Sequence, residues 1–161
     1  MQSKLSRFTS KVVSLAKKAV GDREEPPVQK GEGGYADGVI VGLHGLREYL
    51  GHPYRRLIDI LHEMPGIVSK FGLRMAELPD FTTVCTRKQE LEMRIWRVLL
   101  RVSAQLQDTG DIQAIDATGF DRVAATQLYA NRTNYTFRSV KTTVLVDSST
   151  SLILYIHCSM K

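Results

Sequence analysis

The chain has 161 residues, 43% of them hydrophobic and 24% charged, with a net charge of +5. Those values exclude a disordered chain and fit one ordinary domain, or a small helical domain with part of a second. The charge suits a polyanionic partner without dictating one, and no apolar run approaches the ~20 residues that span a bilayer.

Two cysteines, Cys85 and Cys158, lie far apart and in no C-x-x-C pattern, which argues against a disulfide framework or a zinc site. They read as small buried hydrophobes. The basic N-terminus lacks the continuous apolar stretch of an export signal, so a cytoplasmic location without membrane association is expected.

Residues 3–20 predict an amphipathic helix. Leu5, Phe8, Val12, Leu15 and Ala19 fall on one face, with Lys4, Arg7, Lys11, Lys17 and Lys18 around the rest. Such a helix suits a membrane surface or DNA, or docks on a core with its basic face in solvent; docking is the reading taken. Residues 21–34, rich in glycine, proline and charge, read as a linker.

A second helix is expected over 35–50, where Val39, Leu43, Leu46 and Leu50 make a stripe although Gly38, Gly42 and Gly45 weaken the propensity. Gly51-His52-Pro53 breaks it. Tyr54–Met64 predicts a third helix, and Pro65 opens a short fourth that closes at Gly72. A short helix is expected from Phe81 to Lys88 and a long one over 89–107. Met93, Trp96, Leu99, Leu100 and Ser103 form the apolar stripe of the long helix, and Arg87, Lys88, Arg94, Arg97 and Arg101 a basic one.

Near residue 110 the periodicity changes. Residues 112–118, 141–147 and 152–157 are short and β-prone, the last two joined by Ser148–Ser151 as a hairpin loop. Asp116 follows Ile115 in a strand expected to be buried, so its carboxylate is expected at a strand end inside a cleft. Two readings stand: a ligand for a hard divalent cation, or an acid capping a turn at Thr118-Gly119. Asp147 ends the second strand and is expected to open the hairpin turn, and His157 reads as a core histidine. Arg122, Arg132, Arg138 and Lys141, interleaved with Tyr129, Tyr135 and Phe137, suit a phosphate backbone and stacked bases.

Several segments, taken in order, resemble the DDE transposases of prokaryotic insertion sequences over nearly the whole chain. They are Glu63-Met64-Pro65, Glu77-Leu78-Pro79 leading into Thr82–Cys85, Ile95–Leu100, Ile115–Arg122, Tyr129–Arg132 and Lys141–Asp147. The resemblance implies an α+β protein: a basic helix (1–20), a linker (21–34) and a helical DNA-binding region (35–108), then the first strands of an RNase H-like core (109–161). It implies double-stranded DNA bearing terminal inverted repeats as partner, with full-length transposase or a second copy as further partners.

Asp116 matches the first acid of the triad, which in the family binds Mg2+ or Mn2+. Arg97, Arg101, Arg122, Arg132, Arg138 and Lys141 are the candidate DNA contacts. The second Asp and the Glu of the triad have no match in the sequence. The expected protein is therefore a truncated transposase, inactive alone in strand cleavage and transfer, with a non-catalytic DNA-binding regulator or an inactive remnant as the alternative.

Overall fold

The computed structural model describes residues 3–21, 25–28, 34–120 and 140–160. The chain divides into a helical unit, Met1–Val102, and a strand-bearing unit, Ser103–Lys161.

In the helical unit, Ser3 opens helix α1 (Lys4–Val20) by accepting the Ser6 amide on its hydroxyl at 3.1 Å. Gly21 ends it in the left-handed region, φ 98°. Thr9, Val12, Ala16 and Ala19 are buried, so α1 is a docking helix. Its neighbour is α2 (Asp37–Leu50), and the close approach explains the glycines that weaken α2 in the sequence. A Cβ on Gly45 would lie 2.5 Å from Val12 Cγ2, and one on Gly42 2.9 Å from the Phe71 ring.

The core gathers around fully buried Leu43, Leu46, Leu57, Leu61, Val68 and Val84. Helix α3 (Tyr54–His62) stops two residues before the predicted end, at Glu63. Pro65 is the first residue of α4 (Pro65–Val68), which runs on as a 3-10 turn (Ser69–Phe71) and closes at Gly72, φ 75°. Asp80 caps α5 (Phe81–Glu90), accepting the Thr82 amide at 2.8 Å and hydroxyl at 2.6 Å.

The predicted long helix is broken. Leu91 is extended, and α6 starts only at Met93, running to Ala104. Its buried anchor is Ile95 rather than Met93, which is 63% exposed. Ile95 packs with Ala16, Ala19 and Val41, and Leu91, Trp96, Val98 and Leu99 lie against that cluster. No helix among the described residues is long and apolar enough to cross a membrane.

The described residues of the strand-bearing unit form a three-stranded antiparallel sheet in the order β1 (Gln113–Phe120), β2 (Val140–Asp147), β3 (Ile153–Met160). Asp116 pairs with Val144, which pairs with Ile156; Ile115 pairs with Leu145, which pairs with Tyr155. A bulge at Leu145/Val146 shifts the register, so Val146 meets Ile153. Among the described side chains of the three strands, only Asp147 is buried. The described residues are thus α+β: six helices followed by an antiparallel sheet.

Candidate nucleic-acid interface and the Asp116 strand

Among the described residues, no cleft encloses Asp116. Asp116 sits in the middle of β1 rather than at its end, and it is exposed. Ile115, whose apolar character suggested burial, is 73% exposed on β1, an edge strand of the described sheet. There is no turn at Thr118-Gly119 to cap; both lie in the strand. The Asp116 carboxylate accepts the amide of the next residue, Ala117, at 2.8 Å. The register places Val144 and then Ile156 beside it on the same face, neither able to ligate a metal. Among the described residues no group of three or more His, Cys, Asp or Glu side chains could hold a metal ion.

Among the described residues, Asp147 is the acid that the strand-bearing unit buries. It ends β2 and opens the turn, as its position in the sequence suggests. One oxygen accepts the Ser149 hydroxyl (2.6 Å) and amide (2.9 Å) and the Thr150 amide (2.8 Å) and hydroxyl (3.0 Å); the other accepts the Gly110 amide. These donors, led by the Ser149 hydroxyl, hold the carboxyl far below the usual carboxylate range. A carboxylate so fully engaged fixes a turn and has little capacity left for a ligand.

Three further residues depart from expectation. His157 and Cys158 are exposed on β3, and Cys85 is half-buried. In the helical unit, His44 of α2 shares a hydrogen bond through Nδ1 with the Tyr54 hydroxyl, and the Trp96 ring meets it edge-on at 5.2 Å. Burial is the main cause that pushes the His44 pKa down. It is a satisfied structural histidine.

The basic groups separate into two kinds. Arg87 and Lys88, read from sequence with the long-helix stripe, are occupied. Arg87 bonds the Asp37 carboxylate at 2.9 Å and the Tyr35 carbonyl at 3.3 Å, and Lys88 lies over the Trp96 ring at 5.9 Å. Arg94, Arg97 and Arg101 of α6 are exposed and make no ion pair among the described residues. Their spacing of three and four puts them on one face, within about 60° of arc. Arg94 belongs with the two arginines the sequence reading selected.

Lys141 is exposed on β2, but its register partner is Gly119, so it and Asp116 project from opposite faces of the sheet. Arg122, Arg132 and Arg138, with Asp121, Tyr129, Tyr135 and Phe137, lie outside the described residues.

Comparison with protein-family models, with curated proteins and with solved structures finds no match to the chain.

Proposed function

We propose that this chain binds double-stranded DNA and is related to the insertion-sequence DDE transposases, its helical unit supplying the DNA contacts and its sheet carrying the first acid of an RNase H-like core. The observation that carries DNA binding is the row of exposed arginines on α6, Arg94, Arg97 and Arg101, which no acidic side chain among the described residues neutralises. Three guanidiniums on one helical face match a run of phosphates, each contact releasing a counterion. The family reading is supported by the ordered segments of the sequence and by an antiparallel meander whose first strand bears Asp116.

The cation that the family uses is a separate matter. Mg2+ takes near-octahedral oxygen coordination, and Asp116 alone brings one carboxylate. The described residues therefore do not make a Mg2+ or Mn2+ site by themselves. This favours the second reading, a DNA-binding regulator that engages terminal inverted repeats without cutting them. Catalysis would need further acids from residues outside those described or from a partner such as full-length transposase.

The test has two arms. In fluorescence anisotropy with a labelled duplex, replacing Arg94, Arg97 and Arg101 by Gln is expected to weaken binding and to lower the magnitude of the salt slope by about 2 to 3. Unchanged affinity and slope would remove α6 from the interface. In a plasmid-nicking assay with Mg2+ or Mn2+, binding without nicking supports the regulator, and nicking that Asp116→Asn abolishes supports the enzyme.

A further inference from the structure

The structure assigns a second phosphate-backbone contact to the outward face of α1, formed by Lys4, Arg7, Lys11 and Lys18. The assignment rests on the DNA-binding reading above and adds to it a surface on a different helix.

The spacing of three, four and seven residues puts these four cations on one face within about 60° of arc, along roughly 21 Å of helix. All four are exposed, and none makes an ion pair among the described residues. Helix α1 contains no acidic residue, so none of them has an i,i+4 acid partner within the helix. Lys70 adds a fifth cation against the same helix, donating to the Ser10 hydroxyl at 2.7 Å.

Helix stability does not account for the pattern. Lys18, with Lys17, lies in the last turn, where a cation complements the helix dipole. Lys4 and Arg7 lie at the opposite end, where the dipole opposes them, and Lys4, Arg7 and Lys11 repel one another at helical spacing. A polyanion lying along the helix would offset both costs.

A membrane surface fits less well. An interfacial helix needs its apolar side free to enter the headgroup region. Here Leu5, Phe8, Val12, Val13, Ala16 and Ala19 pack within the helical unit, and Phe8 stacks on Tyr49 at 3.9 Å between ring centres. What α1 offers to solvent is charge and the Ser14 hydroxyl, which suit phosphate oxygens; the Ser10 hydroxyl donates to the Ser6 carbonyl.

The experiment is a salt titration of binding to a labelled random-sequence duplex, using the full chain and a Lys4→Gln/Arg7→Gln/Lys11→Gln/Lys18→Gln variant. The expected result is a salt slope smaller in magnitude by about 3 and an affinity at low salt reduced at least ~10-fold. Arg7→Gln and Lys11→Gln singly should each lower the slope by about 1, which keeps the proposal testable if the quadruple variant folds poorly. A lysine set replaced by Arg should retain the slope. If the native chain binds the duplex and the α1 variants keep its slope, the α1 assignment falls while the DNA reading stands. If the native chain binds no duplex, both fall. Stripe-dependent sedimentation with phosphatidylserine vesicles, alongside unaltered duplex binding, would assign the surface to membranes and overturn the proposal.

Discussion

The Gly110 amide donates to the buried Asp147 carboxylate, which ties the segment leading into β1 to the far end of β2. A second bond runs parallel to it, from the Ser148 amide to the Ile112 carbonyl at 3.0 Å. One carboxylate thus organises the β2–β3 turn and the start of the meander together. Its charge is what the surrounding amides and hydroxyls require. The Asp147 pKa is depressed in the folded state, so the unfolded chain takes up a proton first as pH falls. The stability it contributes is complete above the ordinary carboxyl value of about 4 and is lost as pH drops below it. Amide hydrogen exchange at Ser149 and Thr150 should accelerate, relative to the intrinsic rate, between pH 5 and pH 3. Asp147→Asn should show the faster exchange already at neutral pH; equal protection in the two proteins would refute this role.

The α1–α2 contact yields a pair of substitutions with opposite signs. Ala at Gly45 gains helix propensity worth about 1 kcal/mol. Its Cβ, however, would meet Val12 Cγ2 at 2.5 Å, a methyl on a stiff β-branched side chain that is itself buried. Overpacking of that kind costs about 1 to 3 kcal/mol, so Gly45→Ala should lower stability. At Gly38 the nearest side-chain atom is Val20 Cγ2 at an ordinary 3.6 Å. Gly38→Ala should therefore stabilise, by about 0.5 kcal/mol. Urea unfolding of the two variants decides the matter, and Val12→Ala should relieve part of the Gly45→Ala penalty.

His44 gives the helical unit its own pH dependence. Tyr54, Trp96, Glu48, Lys88 and Arg47 face it, and burial outweighs the Glu48 carboxylate in setting the downward shift. The folded state disfavours the imidazolium, so the unfolded chain binds the proton first. The contribution is fully present above the ordinary value of 6.5 and is lost as pH falls through the lower folded value. Thermal melts should show lower stability at pH 5 than at pH 7.5, with a smaller difference in His44→Phe. The same pH dependence in that variant would place the titrating group elsewhere.

Local chemistry made most element boundaries legible. Gly21, Gly51 and Gly72 end helices in the left-handed region, Pro65 opens one, and the β-branched runs mark β2 and β3. What the sequence hid depends on residues far along the chain. Gln89, Glu90 and Leu91 are sound helix formers, yet Leu91 is extended and packs with Ala16 and Ala19. Arg87 looks like a free surface cation until Asp37, fifty residues earlier, takes it. The exposure of Asp116 was hidden for the same reason. An apolar strand reads as buried, but burial depends on what covers the sheet, and that is not written in the strand itself.

The exposed apolar side chains of the sheet lead to the last prediction. Ile115, Leu145 and Tyr155 form a cross-strand row in register, with Ile115 73% and Tyr155 51% exposed. Apolar rows beside open strand edges favour association with another chain. Light scattering should show concentration-dependent self-association of the native protein, and Ile115→Thr with Tyr155→Thr should reduce it. Because Ile115 is exposed, Ile115→Thr should change folding stability by no more than about 0.5 kcal/mol. Leu43→Ala, at a fully buried position of the helical core, should cost about 3 kcal/mol. A native protein that stays monodisperse at high concentration, or an Ile115→Thr penalty as large as that of Leu43→Ala, would mean that the row is covered in solution.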